Sequence, residues 1–406
     1  MSTRGGGRLL LAATVGNLAD GVRVSAFPLL VAGLSTSPFV VALSTALTHL
    51  PWLLFALYAG LVVDRHGARR ALVLSHAIRA LFMLPALAVA AFGGRVALLL
   101  AVIFAMGVLE VFVNTAEPTL VPAVVEADAL ATTNATLSVI EPVMNSFLGV
   151  ALGAVLFGVT KWLPFVIVAI AYCGATVLLS TLRPREIRTA EARGQWGDNL
   201  LDGVRFVCSN RILLTLAVVT GLANFAMTAF FSVLVLYVRR FGYDTQYLFA
   251  ASLTAVSAGS VLTPGLIGPA RRWFGDAWVL RGAIVLLTVA LGIIATADRL
   301  PLALVGFVAI GVAVGLWGTV AVTFRQEVVP EQLLGRANAF YRLVSYGSAP
   351  LGALFSGGMS EFAGVTQTCT AAAILTLLCW PLLPLISHRQ MTHMRQLGAT
   401  LKEDVS

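Results

Sequence analysis

The sequence predicts an all-α membrane protein with twelve transmembrane helices in two pseudo-symmetric six-helix bundles. Three observations support this prediction: the composition, the recurrence of long apolar runs, and an internal repeat. Of the 406 residues, 58% are hydrophobic and only 11% are charged, and the mean hydropathy is +0.90. A soluble domain of this length carries more charge. The composition therefore indicates an integral membrane protein.

Apolar runs long enough to cross a bilayer recur along the whole chain. The hydrocarbon core is about 30 Å thick, and roughly 20 helical residues cross it. The predicted spans are approximately 9–33, 37–62, 71–92, 96–121, 133–158, 161–181, 212–238, 246–270, 277–297, 300–324, 334–360 and 364–387. The first run is too long for the apolar part of a signal peptide, so we expect it to be retained as the first span.

An internal repeat relates the two halves of the chain. At an offset of 204 residues, Leu18-Ala19-Asp20 falls on Leu222-Ala223-Asn224, and Asn134-Ala135 falls on Asn338-Ala339. Repeated halves are how many transporters place a substrate site near the bilayer midplane. The repeat predicts an N-terminal bundle at 1–182, a cytoplasmic linker with an amphipathic helix at 183–211, a C-terminal bundle at 212–387 and a cytoplasmic tail at 388–406.

The net charge of +8 is distributed as expected for a membrane protein with both ends in the cytoplasm. On that topology only Arg95, Lys161, Arg239, Arg240 and Arg299 face outward, and the other basic residues between spans face the cytoplasm. The basic excess therefore orients the protein, and no nucleic-acid partner is predicted. The four scattered cysteines form no C-x-x-C pair, so neither a metal nor a disulfide framework is predicted.

Charged residues inside the spans mark the candidate site, because charge at the bilayer centre is costly. Asp20 and Arg23 lie three residues apart on one face of the first span. One interpretation is that they neutralise each other. The other is that Asp20 lines a central cavity, where a carboxylate is able to exchange a proton for a cationic substrate.

The fourth and fifth spans carry further polar groups. Glu110, Asn114 and Glu117 form a polar stripe, which we expect to face the cavity or the neighbouring half of the protein, and Glu110 is a second candidate proton carrier. Glu141 precedes Pro142 in the fifth span and is a third candidate for proton or cation binding. Further along the same span, the spacing of Gly149 and Gly153 predicts close helix contact. Countercharges are expected from two arginines within spans, Arg79 and Arg342.

A short charged turn joins the second and third spans. It reads Gly60-Leu61-Val62-Val63-Asp64-Arg65-His66-Gly67-Ala68-Arg69-Arg70. This stretch resembles the loop between the second and third helices of major facilitator superfamily transporters. The resemblance implies that Asp64 approaches the start of the eleventh helix, near Arg336, and gates the conformational cycle. It also implies that Arg69 and Arg70 pair with acids below the fourth span, for which Glu117, Glu126 and Asp128 are candidates. The alternative is an exposed turn that only sets topology.

Two further segments, 114–122 and 325–339, resemble the drug:proton antiporter branch that holds bacterial macrolide-efflux proteins and the enterobactin exporter. The resemblance implies a multi-pass protein of the bacterial inner membrane, a monomer that exports amphipathic small molecules in exchange for protons. The alternatives are a dedicated exporter of one natural product or siderophore, and a metabolite transporter without proton coupling.

An enzyme is not predicted. The sequence contains no nucleophile elbow, phosphate-binding loop or cluster of metal ligands, and no cofactor is expected. The missing phosphate-binding loop also argues against direct use of ATP.

Overall fold

The computed structural model describes residues 3–184 and 204–403, and every regular element in these ranges is a helix. The predicted all-α class is confirmed. Twelve long helices follow one another in the order α1 (Thr3–Leu34), α2 (Pro38–His66), α3 (Ala68–Phe92), α4 (Val96–Val124), α5 (Leu130–Val159), α6 (Leu163–Ser180), α7 (Arg211–Phe231), α8 (Thr245–Phe274), α9 (Asp276–Thr296), α10 (Leu300–Val328), α11 (Glu331–Ala363) and α12 (Val365–Leu385).

Within the described ranges, eleven helices are long and apolar enough to cross a membrane, α1 to α10 and α12. Helix α11 covers the predicted span 334–360 with 33 residues. Its glycines, serines and arginines make it less apolar, but at about 1.5 Å per residue it is longer than the hydrocarbon core is thick. A further helix, α13 (His388–Glu403), occupies most of the segment predicted as a tail.

Helices α5 and α12 depart from regular α geometry, and in α12 the departing part is Leu377–Leu385, which is 3-10 helical. The middle of α5, Glu141–Gly149, is π-helical. It starts at Glu141-Pro142, where proline removes one backbone donor and clashes with the preceding turn, which favours such a local widening. Helix α7 ends at Phe231, before the predicted boundary at 238, and two short turns follow, Leu234–Tyr237 and Val238–Phe241.

Residue contacts divide the chain into two units. Unit 1 comprises residues 1–189 with 232–254, and unit 2 comprises residues 190–231 with 255–406. In unit 1, α1 packs on α5 and α6, and α3 packs on α4 and α6. In unit 2, α7 packs on α11 and α12, and α9 packs on α10 and α12. The repeat in the sequence therefore corresponds to a repeat of helix packing within each unit.

The proposed domain boundaries stay predictions, since much of the linker lies outside the described residues. The predicted amphipathic helix around 199–207 is described only from residue 204, and residues 204–209 are helical.

Small residues allow α1 and α5 to cross closely, as the glycine spacing predicted. A Cβ atom on Gly149 would lie 2.7 Å from Gly21 Cα and 2.8 Å from the Leu18 carbonyl oxygen. A glycine also allows a close helix crossing in unit 2, where a Cβ on Gly352 of α11 would overlap the Phe225 carbonyl oxygen of α7. The close contact predicted at Gly149 is confirmed.

Substitution of Gly149 by Ala is expected to destabilise the protein. The added methyl group meets backbone atoms that cannot rotate away, and overpacking of this kind costs about 1–3 kcal/mol. Gly174→Ala in α6 is the matched control, because a Cβ there meets nothing within 4 Å. Thermal unfolding of the detergent-solubilised variants measures the difference. Equal melting temperatures for the two variants would contradict the close crossing of α1 and α5.

Candidate functional site

A polar cleft lies within unit 1. It encloses about 600 Å³, including space open to solvent, and is lined by residues of α1, α3, α4, α5 and α6. Aliphatic residues and one glycine form the rest of its lining. Its polar lining residues are Asn17, Asp20, His76, Glu110, Asn114, Glu117, Glu141 and Asn145. The structure thus brings together four of the five side chains that the sequence placed in a coupling or substrate cavity, and Arg23 contacts two of them.

Asp20 is the most fully engaged carboxylate of the cleft. It accepts hydrogen bonds from Arg79 at 3.2 and 3.3 Å, from Arg23 at 3.3 Å and from the Tyr172 hydroxyl at 2.7 Å. Arg79 has 0% of its side chain exposed and Asp20 has 14%. A buried charge of this kind is tolerated only when it is paired and hydrogen-bonded. Two guanidinium groups therefore pair with Asp20.

Arg23 links Asp20 to the fourth helix. Its Nη2 donates a hydrogen bond of 2.6 Å to Glu110, while its Nε donates to Asp20. Arg23 is buried, with 3% of its side chain exposed, whereas Glu110 is 27% exposed. Arg23 therefore contacts two carboxylates, and Asp20 both pairs with Arg23 and lines the cleft, while its role in proton exchange stays a prediction.

Glu117 and Glu141 line the same cleft but differ from Asp20 and Glu110 in their ion pairing. Among the residues that the structure describes, neither has an ion-pair partner, although Glu117 experiences the negative charges of Glu141 and Asp20 and the positive charge of Arg79. The sequence assigned Glu117 a structural pairing with Arg69 or Arg70. In the structure Arg69 donates instead to the carbonyl oxygens of Leu179 and Ser180, at the end of α6.

Sequence reasoning did not single out Tyr172 or His76. Tyr172 lies in α6 and stacks against Arg79, with the guanidinium carbon 5.4 Å from the ring centre. The His76 ring lies 5.7 Å from the Tyr172 ring, and its Nδ1 has no hydrogen-bond partner among the described residues. The spacing of His76 and Arg79, three residues apart inside an apolar span, was a usable signal for His76, because such residues share a helix face.

The ionic site has no counterpart at the equivalent positions of unit 2. At the offset of 204 residues, Asn224 replaces Asp20, Val314 replaces Glu110 and Ser345 replaces Glu141. Asn224 donates a hydrogen bond of 2.7 Å to Ser345, so α7 and α11 are joined by neutral groups. The two predicted charge partners on α11, Arg336 and Arg342, also belong to unit 2, and their pairings stay predictions.

The charged turn of the sequence lies between α2 and α3. Asp64 and Arg65 fall in the last turn of α2, and Gly67 joins the helices with φ +88°, a backbone conformation that favours glycine. Asp64 and Arg70 are exposed. The positive φ at this turn explains why a glycine occupies position 67. The gating role of the stretch from Gly60 to Arg70 stays a prediction.

The described residues contain no group of three or more His, Cys, Asp or Glu side chains arranged to hold a metal ion.

Comparisons with known proteins agree with this architecture. A family model described as Major Facilitator Superfamily matches residues 9–353. The chain is 28% identical over 393 residues to the multidrug efflux pump Tap of Mycolicibacterium fortuitum, covering 91% of this chain and 92% of that protein. It is 26% identical over 402 residues to the multidrug efflux pump Tap of Mycobacterium tuberculosis, covering 93% and 92%.

Solved structures show the same fold at low sequence identity. The nucleoside transporter NupG superposes with a TM-score of 0.75 at 14% identity, covering 94% of this chain and 98% of that one. A bacterial homologue of the human lysosomal transporter Spinster, in an inward-facing and occupied conformation, superposes with a TM-score of 0.73 at 15% identity, covering 96% and 97%.

Proposed function

Because this chain belongs to the major facilitator superfamily, we propose that it exports amphipathic small molecules across the bacterial plasma membrane in exchange for protons. The similarity to multidrug efflux pumps supports the direction and breadth of transport. The observation that carries the proposal is the cleft of unit 1, where four carboxylates from α1, α4 and α5 lie together. Ionisable groups inside membrane segments are costly and mark ion or substrate pathways.

The four carboxylates divide into two kinds in this proposal. Asp20 and Glu110 are neutralised by Arg79 and Arg23 and form a fixed ionic framework between α1, α3 and α4. Glu117 and Glu141, which have no recorded cation partner in the described chain, form the exchange site. This assignment moves the proton from Asp20 and Glu110, the first choices from sequence, to Glu141 and Glu117.

Exchange of substrate for protons then follows, because a proton and a cationic substrate compete for the same carboxylates. Glu117 and Glu141 are neutralised either by a proton or by a cationic group of the substrate. When the cation binds, the proton leaves the carboxylate for water, and when the cation has been released outside, a proton from outside replaces it. Since each occupant excludes the other, proton entry drives substrate export by alternating access. The amide groups of Asn114 and Asn145 supply hydrogen bonds to polar parts of the substrate.

The remaining predictions belong to the same proposal. The excess of basic residues between spans places both termini in the cytoplasm. Asp64 gates the cycle by approaching the positive end of the α11 dipole near Arg336 in one conformation, an interaction of about 0.3–1 kcal/mol. The transporter acts as a monomer.

Efflux of ethidium from energised cells tests the proposal. Cells that express the protein are expected to lose the dye faster than cells without it, and a protonophore is expected to abolish the difference. Export that persists after the proton gradient has collapsed would contradict proton exchange. Dye accumulation above that of control cells would contradict export.

A further inference from the structure

The segment predicted as a tail forms part of a second, separate site. Helix α13 is fastened to unit 2 through Arg395, which donates a hydrogen bond of 2.7 Å to Glu327 of α10 and also bonds to Asp276 of α9. Asp276 in turn accepts two hydrogen bonds from Arg271, at 2.6 and 3.1 Å. These contacts satisfy the acidic groups at this end of unit 2, and they fix the position of the rest of α13.

The docked helix creates a groove against the beginning of α7. The groove encloses about 810 Å³, including space open to solvent, and its lining includes Arg211 of α7 and Arg389 and His393 of α13. Asn210 joins the two walls, because its amide lies 2.8 Å from the sulfur of Met394. Arg389 and His393 are four residues apart and therefore share one face of α13.

The charge of the groove is not neutralised by the described protein. Arg211 and Arg389 are exposed, and neither has an ion-pair partner among the described residues. The first backbone N–H groups of α7 are already occupied, since the Asn210 side chain accepts from Ile212 and Leu213. The positive potential therefore comes from the side chains, and it favours an anion that is able to contact two guanidinium groups.

The groove also offers apolar surface and one hydrogen-bond acceptor. The partly exposed Met394 contributes to its lining, and the Gln390 Oε1 atom is buried without a hydrogen-bond partner in the described ranges. Arg211 begins α7 and Leu385 ends α12, six spans later, so the groove lies at one membrane surface. A basic rim, an apolar wall and a free acceptor at that depth fit a phospholipid whose headgroup carries a phosphate and a hydroxyl donor.

We infer that the groove between α7 and α13 binds an anionic phospholipid headgroup of the phosphatidylglycerol type. Arg211 and Arg389 hold the phosphate, the Gln390 carbonyl oxygen accepts from a glycerol hydroxyl, and the acyl chains extend from the groove into the bilayer. This site is separate from the carboxylate cleft of unit 1 and does not depend on the transport proposal. Because Arg395 fastens α13 to α9 and α10, a lipid bound in the groove is linked through α13 to the ends of those two helices.

Binding of short-chain lipids to the purified protein in a neutral detergent tests the inference. Dioctanoyl phosphatidylglycerol is expected to raise the melting temperature of the wild type, whereas dioctanoyl phosphatidylcholine and inorganic phosphate at equal concentration are expected to leave it unchanged. Arg211→Gln/Arg389→Gln is expected to weaken phosphatidylglycerol binding about tenfold or more, because each arginine near an anionic lipid contributes about 1 kcal/mol.

Two further variants make the result decisive. Arg205→Gln/Arg272→Gln removes the same charge from exposed positions outside the groove and is expected to bind phosphatidylglycerol as the wild type does. Arg211→Lys/Arg389→Lys keeps the charge and is expected to retain most of the binding, which separates loss of the site from misfolding. Equal weakening in both glutamine double variants, or stabilisation of the wild type by inorganic phosphate or phosphatidylcholine as strong as that by phosphatidylglycerol, would overturn the inference.

Discussion

Replacement of Asp20 by Asn is expected to remove most of the folded, active protein. The substitution leaves Arg79, which is fully buried, without its carboxylate, and it weakens the hydrogen bonds made to position 20, because an amide is neutral and has one acceptor oxygen instead of two. Removal of one partner of a buried ion pair costs about 3–5 kcal/mol, a large fraction of the roughly 5–15 kcal/mol by which proteins are stable. The yield of monodisperse protein and its melting temperature in detergent measure the loss.

Two other variants separate the charge from the hydrogen bonds. Tyr172→Phe removes one hydrogen bond to Asp20 and is expected to cost only about 0.5–1.5 kcal/mol. Asp20→Asn/Arg79→Gln removes both charges and is expected to be more stable than Asp20→Asn alone, because no unpaired guanidinium stays buried. Wild-type stability of Asp20→Asn would show that Asp20 is not the counterion of Arg79.

Replacement of Glu117 and Glu141 together by Gln is expected to weaken proton-driven export strongly and to leave the fold intact. Neither carboxylate has an ion-pair partner in the described structure, so neutral amides of the same shape leave no charge unpaired. Loss of a charge-assisted contact of about 1.5–3 kcal/mol lowers transport about 10- to 100-fold. Ethidium transport driven by a pH gradient in proteoliposomes measures this change.

A double variant with exposed acids controls for the loss of two charges. Asp244→Asn/Asp298→Asn changes two exposed carboxylates outside the cleft, and it is expected to transport as the wild type does. Full gradient-driven transport by Glu117→Gln/Glu141→Gln would assign proton coupling to other groups.

The sequence predicted the fold well because hydrophobic runs and the repeat report directly on which segments cross a membrane. It also predicted that Asp20, Glu110, Asn114 and Glu141 belong together, since costly groups in lipid gather around water or around one another. The sequence did not predict which side chains pair with one another between different helices. Arg23 was paired with Asp20 by spacing alone, but its shortest contact is to Glu110 on another helix.

Other features depend on packing that no local pattern encodes. Tyr172 meets Asp20 across 152 positions of sequence, and the contact exists only because α6 packs against α1 and α3. Residues 388–406 were predicted as a cytoplasmic tail, and nothing in their sequence indicated that Arg395 bonds to Glu327 and Asp276 on two different helices. The π-helical segment at Glu141–Gly149 was signalled only by Pro142, which is equally compatible with a simple kink.

Release of protons on binding of a permanent cation tests the central claim most directly. Tetraphenylphosphonium is added to the purified protein in weakly buffered detergent solution, a pH indicator reports proton release, and equilibrium dialysis reports binding. Wild-type protein is expected to release protons as the cation binds, whereas Glu117→Gln/Glu141→Gln is expected to release none. Saturable binding to the wild type without proton release at any pH tested would contradict competition of proton and cation for these carboxylates.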